Sequence, residues 1–378
     1  MRLARHAFLG ICLLLACLAL ASFASARERW TAQRAQDWYA RQPWIVGANY
    51  IPANAINQLE MWQADSFDPQ RIDLELGWAE AIGMNTMRVF LHDLLWQQDA
   101  AGFRQRIDTF LAIASRHHIR TLFVLFDSVW DPNPHLGVQH PPIPGVHNSG
   151  WVQSPGAAAL SDPAQYPRLE GYVKGVVGAF ASDARILGWD LWNEPPYSDD
   201  VGGSYAAHEA EYKGQRVRAL LPQVFEWARA AGASQPLTSG LWGDSWVSPA
   251  RVSGTAMIQV EDSDIISFHS YDKPGGFERE LRTLITYDRP ILCTEYMARS
   301  NGSTFENTLP IARKYHVGAI NWGLVQGKTQ TYYPWDSWQK PYAHEPAPWF
   351  HDVFRTDGRP YDPKETRFIR QMTRGPRT

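Results

Sequence analysis

Eight short apolar runs, separated by segments of helical period, constrain this chain more than any other feature. They are Trp44–Tyr50, Thr86–Leu91, Thr121–Phe126, Ile186–Trp192, Pro236–Leu241, Ile265–Ser270, Ile291–Thr294 and Ala319–Trp322. Most lack polar alternation, as strands covered on both faces do. Helical patterns lie between them at Asp68–Ile82, Phe103–His118, Tyr166–Ser182, Tyr205–Ala231, Phe277–Thr286 and Thr304–Tyr315. The first opens on Asp-Pro and is followed by Gly83, a start and a stop signal. In the second, Phe103, Ile107, Phe110, Leu111 and Ala114 share one face. Pro222 predicts a kink or a division in the fourth. The alternation predicts an α/β chain, a (β/α)8 TIM barrel with extended loops at the catalytic face. A doubly wound open sheet is the alternative, but no glycine-rich phosphate turn follows the first run. Asp127 to about Pro167 has no clear period, and a loop of that length is expected to be functional.

The N-terminus reads as a processing signal. Arg2 and Arg5 precede an apolar run from Phe8 to Ala21, and Ala24-Ser25-Ala26 is a small-residue cleavage signature. Residues 1–26 are expected to be a secretory signal peptide and residues 27–378 a single barrel domain, exported to a periplasmic or extracellular space. A membrane anchor is the competing reading, but the run is short for a span and polar sequence follows. Leu14-Leu15-Ala16-Cys17 loosely resembles a lipobox, which keeps a lipid-anchored form as a minor alternative. Cleavage removes Cys12 and Cys17 and leaves Cys293 alone, so no intramolecular disulfide is expected. No later stretch reaches spanning length, so no membrane contact is expected after cleavage. With 44% hydrophobic and 20% charged residues, disorder, collagen and coiled coil are excluded. Lys+Arg is 36 against 39 Asp+Glu, a balance that gives nucleic acid no purchase.

Two apolar runs end in a carboxylate. Trp189-Asp190-Leu191-Trp192-Asn193-Glu194-Pro195 brings Asn and Glu to the C-terminal end of the fourth run, and Ile291-Leu292-Cys293-Thr294-Glu295-Tyr296 brings Glu to the end of the seventh. In a barrel those ends form the active-site face. Glycoside cleavage needs such a pair: a protonated acid at the leaving oxygen and an ionised carboxylate below the ring. A lone strand-end Glu is as readily a helix cap or a rim ion pair; two, at these strands, are not.

The chain resembles the clan A retaining glycoside hydrolases, the family-five cellulase and mannanase group above all, over residues 44–324. The motifs are Gly83-Met84-Asn85-Thr86-Met87-Arg88, Trp189–Pro195, Phe268-His269-Ser270-Tyr271, Ile291–Glu295 and Asn321-Trp322-Gly323. The resemblance implies that Glu194 is the general acid and then the base, and Glu295 the nucleophile. It implies that Arg88 keeps Glu295 ionised and that Tyr271 donates a hydrogen bond to it. Asn193 would bind the sugar 2-hydroxyl, His269 the sugar or the nucleophile, and Trp322 would floor the ring. It implies a carbohydrate substrate and double displacement, with carboxyl groups about 5–5.5 Å apart, retained configuration, and no metal or cofactor.

Two positions depart from the family pattern. Asp127 has no His two residues on, and Tyr296-Met297 stands where Phe-Gly is common. Weaker candidates for sugar contact are Trp130, Trp335, Asn49, His92, Asp127, Gln326 and Lys328, with Tyr50, Asp93, Tyr332 and Tyr333 beside them. His135, His140 and His147 share the long loop with Trp130, Asp131, Asn148 and Trp151, but at no compact metal-ligand spacing. Asp190 and Cys293 are expected to be core groups. The 17 Trp are an excess that a sugar cleft would use. Trp130, Trp151, Trp242, Trp322 and Trp335 are expected at the mouth, Trp189 in the core, and Trp192 turned away by strand alternation. A carbohydrate-binding barrel without activity, a transglycosylase using the same intermediate and a metal-dependent hydrolase are the alternative functions.

Overall fold

The computed structural model describes residues 28–195, 210–243 and 254–374. The expected signal segment and residues 205–209 of the Tyr205–Ala231 pattern lie outside the described residues.

All eight apolar runs are strands: β1 Val46–Asn49, β2 Thr86–Phe90, β3 Arg120–Asp127, β4 Ile186–Asn193, β5 Leu237–Gly240, β6 Ile266–His269, β7 Ile291–Glu295 and β8 Gly318–Asn321. They pair in parallel in the order β5-β4-β3-β2-β1-β8-β7-β6. Leu241 bridges to Phe268 at the remaining seam, where its N–H donates to Ser267 O and its carbonyl accepts from His269 N. The sheet is thus a nearly closed (β/α)8 barrel, and an open doubly wound sheet is excluded.

Eleven helices are described: α1 Ala32–Ala40, α2 Gln58–Trp62, α3 Pro69–Ala81, α4 Asp93–Arg116, α5 Ala157–Ser161, α6 Tyr166–Ala179, α7 Ala210–Ala230, α8 Thr255–Asp262, α9 Pro274–Ile285, α10 Phe305–Lys314 and α11 Pro363–Arg374. The Asp-Pro start of α3 works as read: the Asp68 carboxylate caps Arg71 N, and Gly83 turns the chain at φ +84°. The predicted start at Phe103 falls inside α4, because a preceding helical stretch merges with it across Asp99. That residue is non-helical (φ −157°, ψ 80°) and its carboxylate caps Gly102 N. Helix α7 continues through Pro222 instead of dividing. Its neighbours Leu220, Leu221, Val224 and Phe225 are fully buried, so packing offsets the ~3 kcal/mol that an interior proline costs.

The barrel has a sealed floor. Trp30 and Ala35, from the N-terminal segment, pack with Ile45, Leu122, Leu187, Ile265, Leu292 and Ile320 beneath the strands. Polar chemistry is thereby confined to the opposite end, where the strands terminate. No described helix is long and apolar enough to cross a membrane.

Candidate active site

Strand direction alone brings Asn193, Glu194 and Glu295 to the same face of the barrel. Asn193 ends β4 and Glu295 ends β7. Glu194 leaves the strand at φ +42°, a conformation that disfavours non-glycine residues and costs about 1–3 kcal/mol. Strain of this kind is common where a side chain must be aimed.

Arg88 on β2 is the hub below them. It is fully buried, and each of its five N–H groups has an acceptor. Nε and Nη2 donate to Asp190 Oδ2 at 3.0 and 2.8 Å, and Nη2 also to Asn193 Oδ1 at 2.7 Å. Nη1 donates to Asn49 Oδ1 and to Glu295 Oε1, both at 2.8 Å. Asp190 is therefore the paired core group that the sequence suggested, and it balances part of the Arg88 charge.

Glu295 takes its second oxygen to Tyr271, whose hydroxyl donates at 2.7 Å. Burial and the Glu295 charge hold Tyr271 well above the ordinary phenol range, so it stays a donor. Arg88 and Tyr271 favour the Glu295 carboxylate, as expected. Burial outweighs them and pushes Glu295 up to about 7. His269 bridges the two acids: Nδ1 lies 2.6 Å from Glu194 Oε1 and Nε2 3.6 Å from Glu295 Oε1. Burial, reinforced by the Arg88 charge, keeps this imidazole far below its ordinary value and neutral. One ligand atom each from Glu194, His269 and Glu295 lies within 4.8 Å of the others. These three could offer atoms to a cation, although Arg88 and Tyr271 already engage both Glu295 oxygens.

Asn193 is fixed by Arg88 on one side and Asp127 on the other, where Nδ2 donates to Oδ1 at 3.0 Å. Its second N–H is left for the cleft. Asp127 also accepts from Trp151 Nε1 and Val129 N; even so, burial pushes it up to about 6.

The cleft above has a volume of about 120 Å³. Trp130, Trp242, Trp322, Trp335 and Trp338 line it with Glu194, Glu295, Asn193, Asp127 and Tyr271. Each of these tryptophans is half-buried, with ring surface left to offer. The expected convergence of aromatic rings is thus present, with one change. Trp151 stands behind the wall, edge-on to Phe90 and 6.0 Å from the Trp322 ring. Trp189 packs on Phe123, and Trp192 turns away to Ser128.

Other candidates stand elsewhere. His92 is buried as the cap of α4, bonded to Leu94 N and Gln153 O. Asn49 spends both ends of its amide on Arg88 and on the carbonyls of Thr294 and Asn321. Lys328 pairs with Glu60 on the rim, and Gln326 meets Phe354 through its backbone. None of these four lines the cleft. Of the loop histidines only His147 does; His135 and His140 are exposed. Trp338 is a cleft residue that the sequence reading did not place there, whereas His147 is one of the loop histidines it did name. Trp338 was findable: it lies one 3-10 turn after Trp335, and the two rings stack at 14°.

No family model matches the sequence, and no curated protein matches it. Solved structures do. A GH5_18 variant from Streptomyces cattleya in complex with Manβ1-4GlcNAc aligns with TM-score 0.59 at 14% identity, over 89% of this chain and 81% of that one. A β-1,4-mannanase from the sea hare Aplysia kurodai aligns with TM-score 0.54 at 16% identity, over 74% and 88%. An exo-β-1,4-mannosidase, Op5Man5 from an Opitutaceae bacterium, aligns with TM-score 0.56 at 17% identity, over 87% and 60%. The chain therefore has the (β/α)8 barrel fold that these glycoside-cleaving proteins share.

Proposed function

We propose that the protein is an exported retaining β-glycoside hydrolase. One observation carries the reading. Two glutamates at the tips of β4 and β7 bring oxygens within 4.8 Å of each other in a tryptophan-walled cleft. Facing oxygens that close favour the retaining arrangement, with carboxyl groups about 5–5.5 Å apart, over the inverting one at about 6.5–9.5 Å.

Glu295 attacks the anomeric carbon from below while Glu194 gives its proton to the leaving oxygen, and the glycosidic C–O bond breaks. The sugar is then an ester of Glu295. That carboxylate has lost its charge, so Glu194 ionises readily and takes a proton from water as the water attacks the same carbon. Arg88 and Tyr271 receive the Glu295 charge again as the ester breaks. Asn193 holds the 2-hydroxyl, and Trp322 floors the ring. Export rests on Arg2, Arg5, the Phe8–Ala21 run and Ala24–Ala26.

The neighbours supply the sugar to try first. They comprise mannan-cleaving enzymes, a β-mannosidase and a protein holding Manβ1-4GlcNAc, so β-1,4-linked mannosides head the substrate class. The test is proton NMR of the product as it first forms from aryl β-mannosides and β-glucosides. Retention is expected, with the β-anomer appearing before mutarotation. The α-anomer as first product would overturn the mechanism.

A further inference from the structure

We propose that this site is a dead-end pocket for a single terminal sugar, so that the enzyme removes residues from the non-reducing end. The inference rests on the glycosidase reading above and specifies which end of the substrate enters.

The catalytic pair sets the direction of the substrate. The leaving group must depart past Glu194, at the tip of β4. The ring attacked by Glu295 then extends the other way, over Trp322 and toward β8 and β1. In the barrel order, β8 lies opposite β4. A substrate bound in mid-chain would have to continue through the space above β8, β1 and β2.

That space is walled. The long loops after β3 and β8 meet across it, where Trp130 and Trp338 pack edge to face at 4.9 Å. Behind these rings the two loops are bonded to each other. Asn148 N donates to Thr329 O at 2.7 Å, Tyr342 N to Gly145 O at 2.9 Å and His147 N to Ser337 Oγ at 3.0 Å. Trp338 Nε1 donates to His147 O at 2.8 Å, and Gln330 Nε2 to Ile143 O at 2.7 Å. The loop after β1 completes the seam: Asn57 Nδ2 donates to Gly150 O and Lys328 N to Ala53 O, both at 2.9 Å. Backbone and side-chain hydrogen bonds among three loops, buried or part-buried, make a fixed wall, since opening it would break them all at once.

The size agrees. The cleft at the carboxylates, open on one side, holds about 120 Å³, well short of the ~300 Å³ at which clefts for drug-sized ligands begin. An open groove spanning several sugars would be larger and unblocked at both ends.

The test uses the full-length exported enzyme and hexasaccharides of β-1,4-linked mannose, glucose and xylose, each tagged at the reducing end. Products are separated during the first few per cent of turnover. The expected result is free monosaccharide and tagged pentasaccharide in equal amounts, with shorter tagged products only later. Tagged di-, tri- or tetrasaccharides at the earliest times would overturn the pocket while leaving the glycosidase reading intact. Failure to cleave any of the three hexasaccharides or an aryl glycoside would overturn the glycosidase reading, and this inference with it.

Discussion

His269 Nδ1 lies 2.6 Å from Glu194 Oε1, while the opposite ring nitrogen faces Glu295 at 3.6 Å. A neutral imidazole carries one N–H, so its tautomer follows the Glu194 proton. With Glu194 protonated, Nδ1 accepts and Nε2–H points at Glu295. With Glu194 ionised, Nδ1–H donates to it. The ring thus supports both protonation states that double displacement requires. In His269→Ala we expect kcat/KM to fall about 10²-fold, the size of losing one positioned donor. Unchanged kinetics would remove His269 from the account.

Arg88 yields a prediction on stability. It satisfies Asp190, Asn193, Asn49 and Glu295 at once from a fully buried position. In Arg88→Met the Asp190 charge is left buried and unpaired, a cost of about 3–5 kcal/mol. Arg88→Lys keeps the charge but cannot reproduce the five-donor fork. The lysine variant is expected to fold with a lowered Tm and to lose most activity. Thermal unfolding and steady-state rates measured side by side check both.

The raised Glu295 makes the protein sensitive to pH in a defined direction. Its folded value near 7 exceeds that of an unfolded Glu, about 4.3. The folded state therefore binds more protons between those values, and stability from this group falls as pH rises through the window. Glu295→Gln removes the cost of burying the charge. Its Tm should exceed that of the parent by about 2–4 °C at pH 8 and by little at pH 5. In the proposed mechanism the same group must be ionised to attack, so the acid limb of kcat/KM in the parent should lie near neutral instead of near pH 4.

Trp322 supplies a measure of stacking. Its ring is held edge-on by Phe90 and Trp151, both at 6.0 Å, with its free surface on the cleft. Trp322→Ala should lower kcat/KM about tenfold, in line with roughly 0.5–1.5 kcal/mol for an aromatic contact. Trp322→Phe should recover most of it. An equal loss in both would point to packing rather than to the sugar.

The barrel was legible because its strands are buried on both faces and so spell apolar runs with little interference. The carboxylates were legible because strand direction fixes which end faces the chemistry. The position of Glu194 and Glu295 at strand tips needed only strand direction; their proposed roles came from the family resemblance. What the sequence did not carry was the wiring of the loops. His92 looks like a mouth residue, yet its ring caps α4. Lys328 looks like a sugar contact, yet Glu60 of α2 holds it on the rim. The His92 cap bond is local, to Leu94 N, but the ring's other nitrogen meets Gln153 O and Lys328 meets Glu60, both far away in the chain. Trp151 moved one layer back for the same reason: Asp127 accepts its indole N–H. The strength of burial at Glu295 was also hidden, since a strand-end position says nothing of the walls built around it.

The central claim is that Glu295 forms a covalent bond to the sugar. The direct measurement is inactivation with activated 2-deoxy-2-fluoro-β-mannoside and its glucoside counterpart, followed by proteolysis and peptide mass spectrometry. The account predicts one fluoro-sugar per chain, carried on the peptide containing Glu295 and absent in Glu295→Gln. A label on Glu194 or on any other carboxylate would contradict it.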